Sequence, residues 1–427
     1  MTRYRFSIGF ALALAFVICG LAFRNAQLAL LSIPPLFYSA ALLISAATLP
    51  VPNIVARRLV DRSRVSEDEI IEVALAMASH SKSYPMILAH DKLPSGMTCV
   101  PGANYYQGPI RAGQLQQLIR YDLEGARGVY QFSTIEALVC SPLGLAVTET
   151  AIAAPIELHV RPRYESLRSI HIRPRRTHSF AGPIRSHLPG SGIDFHGCRT
   201  FMQGDDVRRI NWRAYARTDE LVVCDYEQDR ITDVNLILDA RARAHAFIGQ
   251  QHTLEFAAQA TAAIAASFCS QGNNVGLLTY GDVLDWVFPG VGQSQLDRIL
   301  DALAHASLAD KIAFEDLYQI PTRLFAPNSQ LVLVSCNLDQ DDIETLALLK
   351  NRGYSVLFIS INTLALEQAE LPVGNETEMA VRIAHLRRKL YLGSLARYGL
   401  QVVDWDPNTS LGEAFERYGW RRGRAMP

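Results

Sequence analysis

Two adjacent carboxylates, Asp205 and Asp206, follow Gly204, and His196 lies a few residues earlier. Paired carboxylates near a histidine are residue types that serve general acid–base catalysis. A turn is the simpler interpretation, because glycine tolerates a positive φ and aspartate bonds to the nearby backbone. Asp206 would then cap a short helix over residues 207–217. We expect capping and ion pairing here, with a membrane-associated hydrolase that uses this region as the alternative function.

Three arginines recur along this predicted helix at intervals of about one turn: Arg209, Arg213 and Arg217. Like charges spaced i, i+4 cost about 0.2–0.5 kcal/mol per pair, so the arginines require anionic partners. Arginine favours bidentate pairing with carboxylates, and four lie nearby in the sequence: Asp205, Asp219, Asp225 and Glu227. The spacing favours a structural network of ion pairs that joins two layers. A docking site for a partner's carboxylates or for a phosphate is the alternative.

The segment around these residues has a long pattern of glycine, aromatic and charged positions. It reads Gly192-x-x-Phe195-x-x-x-Arg199-x-Phe201-x-x-Gly204-Asp205-Asp206-Val207-Arg208-x-Ile210-x-Trp212-x-x-x-Ala216-Arg217-x-x-x-Leu221-Val222-Val223. This pattern resembles the signature of the domain-of-unknown-function family 58. Three residues depart from it, since Thr200, Tyr215 and Cys224 stand where an acidic, a small and a basic residue are common.

The resemblance also implies a function. Members of this family often accompany a MoxR-type AAA+ ATPase, so we expect a membrane-anchored, non-catalytic adaptor or scaffold for such an ATPase. The residues expected to contact the partner are those of the signature: Arg199, Gly204, Asp205, Asp206, Arg208, Arg209, Trp212, Arg213 and Arg217.

The composition bounds the class of protein. The chain has 427 residues, of which 49% are hydrophobic, so it is long enough for two or three globular units. Its net charge of −1 provides no basic field for nucleic acid. Seven scattered cysteines without a Cys-x-x-Cys motif indicate reduced thiols in a cytosolic compartment. Sequence motifs for a serine hydrolase, a phosphate-binding loop or a zinc protease are absent, so we predict neither catalysis nor a cofactor.

The N-terminal sequence indicates a membrane anchor. Apolar runs extend over residues 6–23 and 28–49, the second with Pro34 and Pro35 inside it, and each is long enough to span a bilayer. We therefore predict a transmembrane hairpin over residues 1–60. Its flanks are rich in arginine: Arg3, Arg5, Arg57, Arg58, Arg62 and Arg64. The positive-inside rule then predicts a bacterial-type inner membrane protein whose remaining chain is cytoplasmic, with the arginines near anionic headgroups.

Two further regions precede the α/β part of the chain. Short apolar runs broken by proline and glycine predict a small β-sandwich over residues 61–163. Residues 164–232 hold a basic linker followed by the signature segment. The linker lacks interleaved aromatic residues, so we expect an extended strap on acidic surface rather than a nucleic-acid arm.

Strands and helices alternate from residue 233 to 427, and the strands are fully apolar. This alternation predicts a doubly wound α/β domain, with helices on both faces of a mostly parallel sheet. Ligands of such sheets sit beyond the carboxyl ends of the strands. The residues expected to cluster at that edge are Asp239, Thr279, Ser335 and Cys336.

The order of elements resembles a von Willebrand factor A-type domain, which the family is expected to carry. The metal-binding version of that domain has the motif Asp-x-Ser-x-Ser, a threonine and a later aspartate. Here the motif is Asp239-Ala-Arg241-Ala-Arg243, and Cys336 takes the place of the later aspartate. Guanidinium groups repel a cation, and a thiol is a poor ligand for Mg²⁺. We expect Asp239 to pair with Arg241 or Arg243 in a degenerate site, with no metal bound.

Overall fold

The computed structural model describes most of the chain in two compact units, Met1–Val160 and Arg161–Pro427. The described residues are 2–48, 52–80, 82–141, 144–167, 184–203, 205–230, 232–249, 251–281, 284–308, 325–372 and 374–417.

Apolar helices form the N-terminal part of the first unit: α1 (Thr2–Ala22), α2 (Ala26–Leu30) and α3 (Ile33–Thr48). Pro34 and Pro35 lie in the first turn of α3. Proline is tolerated there, because the first-turn amides have no intrahelical partner. Residues Ala26–Ala47 are long and apolar enough to cross a membrane, and Phe6–Ala22 is a shorter apolar helix.

Among the described residues, the remainder of this unit consists of strands β1 (Ile54–Val60), β2 (Arg64–Ser66), β3 (Ile71–Ser79), β4 (Tyr84–Asp91), β5 (Met97–Gly102), β6 (Tyr105–Ile110), β7 (Gln116–Gly125), β8 (Gly128–Cys140) and β9 (Val147–Arg161). One sheet has the order β1-β3-β7-β5 and the other β2-β9-β8-β4-β6. Buried side chains of both sheets, such as Leu75 and Ile135, form one apolar cluster. The β region therefore begins at β1, before residue 61 where the sequence predicted it.

A buried charge cluster lies inside this β region. Arg58 points inward from β1 and pairs with Asp91 of β4 through Nη2–Oδ1 (2.6 Å) and Nε–Oδ2 (3.1 Å). Tyr121 donates its hydroxyl to Asp91 at 2.6 Å, and the Phe132 ring lies 4.6 Å from the guanidinium carbon. Burial raises the pKa of Tyr121 well above its ordinary value. The expectation that Arg58 contacts lipid headgroups is wrong, because Arg58 is buried in the core and pairs with the Asp91 carboxylate.

The second unit opens with a two-stranded sheet of β10 (Ile184–Thr200) and β11 (Val222–Arg230). Between these strands the sequence predicted one helix over residues 207–217. The structure instead has a 3-10 turn (Val207–Arg209) and a separate helix α4 (Trp212–Thr218). Asn211 causes the break, since its side chain accepts a hydrogen bond from the Ala214 amide (3.1 Å) and starts a new helix.

A six-stranded mixed sheet forms the rest of this unit, with the strand order β16-β15-β12-β17-β18-β19. Its strands are β12 (Asp233–Asp239), β15 (Asn274–Tyr280), β16 (Asp285–Gly290), β17 (Gln330–Ser335), β18 (Ser355–Ile361) and β19 (Gln401–Trp405). All neighbours pair in parallel except β15 and β16. The sequence predicts a hairpin turn at Gly281-Asp282 between these two strands, and residues 282–283 lie outside the described residues.

Helices cover both faces of this sheet. They are α5 (Thr253–Ser270), α6 (Gln293–His305), α7 (Gln340–Asn351), α8 (Leu364–Glu370), α9 (Asn375–Arg397) and α10 (Leu411–Arg417), and a hairpin of β13 (Phe247–Ile248) and β14 (Gln251–His252) precedes α5. Leu236 packs in a cluster with α5 and α6, whereas its neighbour Ile237 packs in a cluster with α7. Successive residues of a strand face opposite sides, so the sheet buries apolar side chains on both faces.

Candidate functional site

The carboxyl ends of β12 and β17 meet where the strand order reverses direction. β15 lies on one side of β12 and β17 on the other, so this edge is the topological switch point of the sheet. Asp239 ends β12 and Ser335 ends β17, and both are fully buried. The Ser335 hydroxyl donates a hydrogen bond to Asp239 Oδ2 at 2.9 Å. These two residues come together as the sequence predicts.

The guanidinium of Arg241 occupies the space beside them. It donates from Nε and Nη2 to the two Asp239 carboxylate oxygens, at 3.0 and 2.9 Å. Its Nη1 and Nη2 also donate to Asp342 of α7, at 3.3 and 2.7 Å. The Tyr280 ring lies 4.9 Å from the guanidinium carbon, and the Arg241 side chain is 1% exposed. Asp239 therefore pairs with Arg241, one of the two arginines predicted.

The start of α7 places Asp342 for this contact. Asp342 is the third residue after the cap Asp339, whose amide donates to Asp342 Oδ2 at 3.4 Å. The carboxylate thus closes the first turn of the helix and accepts from Arg241. Arg241 therefore bridges the carboxylate in the first turn of α7 to the one at the end of β12.

The remaining predicted members of this edge lie apart from the charge cluster. Arg243 reaches the surface, where its Nη1 lies 3.3 Å from Asp339 Oδ2. Thr279 is in register with Leu238, and its side chain makes none of the hydrogen bonds described for Asp239 or Arg241. Tyr280, the next residue, contacts the guanidinium in its place. Cys336 turns towards a histidine.

That histidine, His245, links Cys336 to the strand end. His245 Nε2 lies 2.5 Å from the Asp239 carbonyl oxygen, and its Nδ1 lies 3.5 Å from Cys336 Sγ and 3.0 Å from Thr253 Oγ1. Burial lowers the pKa of His245 and raises the pKa of Cys336 to about 12. A neutral histidine beside a protonated thiol is not an activated nucleophile, because the thiolate is the reactive form.

The charge cluster does not fit a divalent cation. A Mg²⁺ ion requires hard oxygen ligands with space between them. Here Arg241 Nη2 lies within 2.9 Å of both an Asp239 and an Asp342 oxygen, so the guanidinium already donates to both carboxylates. The edge is a closed ion-pair cluster among the described residues, with Arg241 in the place that a cation would need.

The signature segment forms a second, more exposed group of charges. Arg199 pairs with both carboxylate oxygens of Asp205, at 2.7 and 2.6 Å, and the Met202 amide donates to Asp205 Oδ2 at 2.8 Å. These hydrogen bonds, that of Arg199 first, lower the pKa of Asp205 to about 2. Asp206 accepts from the Arg208 amide at 3.0 Å and caps the 3-10 turn, as predicted. Gly204 lies outside the described residues.

The predicted arginine series is divided by the helix break. Arg209 belongs to the 3-10 turn, so only Arg213 and Arg217 share α4. The described residues include no carboxylate paired with Arg208, Arg213 or Arg217. The side chains of Asp225 and Glu227, two predicted partners, lie outside the described ones. Within this segment, Arg199 and Asp205 form an ion pair among the described residues.

An exposed aromatic pair lies among these arginines. Trp212 is 58% exposed at the start of α4, and its ring stacks edge-on against Tyr215 with centroids 6.2 Å apart. Val207 of the 3-10 turn is also exposed. We call Val207, Arg208, Trp212, Arg213, Tyr215 and Arg217 the α4 surface. It combines apolar area with positive charge and belongs to the segment that carries the signature.

Residues 197–382 match the family described as protein of unknown function DUF58. The chain carries a DUF58 domain. The match covers the signature from Gly197 onward, the charge cluster at Asp239 and most of the mixed sheet, so both sites lie within it.

Other comparisons are less informative. No curated protein matches the DUF58 protein. Among solved structures, a FixG-related protein from Vibrio parahaemolyticus is 11% identical, with 26% of this chain and 98% of that chain covered and a TM-score of 0.17. A family 123 glycoside hydrolase from Clostridium perfringens is 7% identical, with 72% and 67% covered and a TM-score of 0.12. Scores this low establish no common fold.

Proposed function

We propose that this DUF58 protein is a membrane-anchored, non-catalytic adaptor that binds a protein partner through the α4 surface. The observation that carries the proposal is Trp212, a large exposed aromatic residue beside arginines that the described carboxylates leave unpaired. Tryptophan and arginine are the residues most enriched at the energetic centres of protein interfaces.

The charge of the α4 surface defines the partner's side of the contact. Arg208, Arg213 and Arg217 favour a surface rich in aspartate and glutamate, since arginine pairs with carboxylates in bidentate geometry. Trp212 favours an apolar pocket within that acidic surface. The family resemblance suggests a MoxR-type AAA+ ATPase as the protein that provides it.

The chemistry of the two charged groups supports a binding role over a hydrolase. Asp205 is held as a carboxylate by Arg199, and a pKa of about 2 makes it a poor proton donor near neutral pH. Asp206 is used as a helix cap. At the strand ends, Asp239 and Asp342 both accept hydrogen bonds from Arg241, so neither resembles a group poised to accept a proton.

The fold supports a platform with an N-terminal anchor. We propose that α1 and the α2–α3 segment form two spans with the rest of the chain in the cytoplasm, in line with the arginines that flank them. The strand order of the mixed sheet suggests a von Willebrand factor A-like domain. The two antiparallel sheets with one core suggest a β-sandwich, which would serve as a spacer or interaction module.

The test measures binding between the full chain in phosphatidylcholine nanodiscs and a purified MoxR-type ATPase from the same organism. Trp212→Ala should weaken binding by about tenfold or more, because hot-spot truncations cost about 2 kcal/mol or more. Arg213→Glu should weaken it further, since a repulsive charge faces the acidic surface. Asp206→Ala should weaken it through loss of the cap that holds Val207 and Arg208.

Arg298→Glu is the matched control, since Arg298 is an exposed arginine on α6 and the charge change is the same. It should leave the dissociation constant unchanged. Equal binding by wild type, Trp212→Ala and Arg213→Glu, with folding retained, would reject the α4 surface. An ATPase that fails to bind the wild-type chain would reject this partner.

A further inference from the structure

Helix α9 displays a line of large apolar side chains to solvent. The residues are Met379, Ile383, Leu386 and Leu390, which are 67%, 47%, 62% and 72% exposed. Single exposed apolar residues are ordinary on protein surfaces, whereas a contiguous series marks a contact site. We call these four residues the α9 seam.

The opposite face of α9 fixes the helix to the sheet, so the seam is not an alternative packing face. Leu395 is buried in the apolar cluster, and the Tyr391 hydroxyl accepts a hydrogen bond from the Leu338 amide at 3.0 Å. Arg388 Nε donates to Asp404 of β19 at 3.0 Å. Arg388 and Leu386 are two residues apart, which on a helix of 3.6 residues per turn places them on nearly opposite sides.

The spacing of the seam is that of a coiled coil. The intervals from Met379 to Leu390 are four, three and four residues, which repeats the a and d positions of a heptad. The line covers an arc of roughly 60°, narrower than the ≳100° face that an amphipathic helix buries against a broad surface. A second helix that packs along this line fits such an arc, whereas a lipid surface requires a wider one.

Basic residues border the seam on both sides. Arg382 and Lys389 occupy the position before an a residue, and Arg387 follows a d residue; all three are exposed. These e and g positions select the partner in coiled coils. A second copy of α9 would bring like charges together across the contact, which is unfavourable. Glutamate or aspartate at the facing positions would pair with them.

We propose that the α9 seam binds a single amphipathic helix of another protein, with apolar residues at a and d and acidic residues at e and g. This site lies on a different element from the α4 surface, and the inference does not depend on the proposed function.

The test uses a designed peptide several heptads long, with leucine at a and d and glutamate at e and g. Its fluorescence anisotropy is measured with the full chain in phosphatidylcholine nanodiscs. A second peptide with lysine at e and g is the charge control. We expect the acidic peptide to bind at least about tenfold more tightly than the basic one, and this preference to fall as salt is raised.

Leu386→Ser should weaken binding of the acidic peptide by about tenfold, because the leucine loses its buried contact. Leu348→Ser is the matched control, since Leu348 is an exposed leucine on α7, and it should have no effect. Equal affinity for the two peptides, or equal affinity of the Leu386→Ser chain, would overturn the proposal.

Photocrosslinking from p-benzoylphenylalanine in place of Met379 identifies the molecule that lies on the α9 seam. A crosslink to the acidic peptide supports the proposal. Crosslinks that form instead to a second copy, to the same chain, or to lipid in nanodiscs containing phosphatidylglycerol would each overturn it, because the seam would then be covered by that other surface.

Discussion

Replacing Arg241 by alanine tests whether its guanidinium stands in the place of a cation. The substitution removes four hydrogen bonds to Asp239 and Asp342 and leaves two carboxylates facing each other with side chains no more than 1% exposed. Breaking a buried ion pair by removal of one partner costs about 3–5 kcal/mol. We expect a loss of stability in this range at the carboxyl end of β12.

Hydrogen exchange in the full chain measures this loss locally. Amide hydrogens of β12 exchange after local or global unfolding, and each 1.4 kcal/mol of lost stability raises the exchange rate tenfold. Exchange from β12 should therefore accelerate by roughly a hundredfold to a few thousandfold. Arg243→Ala is the control, because Arg243 forms a partly exposed pair with Asp339. Such pairs contribute about 0–1 kcal/mol, so exchange should change little.

Magnesium provides the second part of this experiment. Without Arg241, oxygens of Asp239, Asp342 and Ser335 face one site, which suits a hard cation. Adding Mg²⁺ should slow exchange in the Arg241→Ala chain and leave the wild type unaffected. Unchanged exchange after Arg241→Ala would refute the energetic argument. Protection of the wild type by Mg²⁺ would refute the assignment of the guanidinium to the cation's place.

Three further predictions concern other charged and thiol groups. The Arg199–Asp205 pair should persist at neutral pH and break only as the pH falls towards about 2. The pKa of Asp205 is lowered in the folded state, so the stabilisation is present above the unfolded pKa of about 4 and is lost on acidification. The ¹³C chemical shift of the Asp205 carboxyl group measures this titration, and a midpoint near 4 would contradict the pairing. Cys198 and Cys224 are cross-strand neighbours with Sγ atoms 3.8 Å apart, so mild oxidation should join them in one disulfide. The disulfide is measured as the loss of two thiols that react with maleimide. If both thiols remain reactive after oxidation, the register of β10 and β11 is contradicted. Asp91→Ala should destabilise the β region by about 3–5 kcal/mol, because the buried guanidinium of Arg58 loses its carboxylate partner. Hydrogen exchange of the β4 amides measures this loss of stability. Unchanged exchange would show that water or another acceptor replaces Asp91.

Much of the mixed α/β sheet can be predicted from local sequence. Its strands are continuous apolar runs and its helices carry periodic apolar residues, so a buried parallel sheet leaves a clear pattern. The sequence predicts a strand over residues 354–361 and a helix over residues 377–398. Both lie within two residues of β18 and α9 at every boundary. The predicted helix at residues 207–217 was wrong, because Asn211 offers its side-chain oxygen to the backbone and starts a new helix.

The candidate sites are predictable only in part. The pairing of Asp239 with Arg241 follows from their closeness in the sequence and from the unfavourable placement of a guanidinium at a cation site. The contact of Arg241 with Asp342 joins residues 101 positions apart in the sequence, so no residue pattern within a single helix or strand predicts this contact. The arginine-rich neighbourhood of Arg58 predicts a place at the membrane surface, whereas its alternation with Ile54 and Ala56 on β1 places it on the inward face.

The Arg58–Asp91 pair has a consequence for how the first strand aligns. β1 is the strand that follows the apolar helices, and Arg58 is the charged residue among its inward-facing side chains, which otherwise include Ile54 and Ala56. A shift of two residues would keep the same side chains on the inward face, since side chains alternate along a strand, but would bring Ala56 or Val60 to the depth of Arg58. Asp91 would then face no guanidinium at the correct depth. The pair therefore disfavours a slip of two residues where the chain leaves the apolar helices.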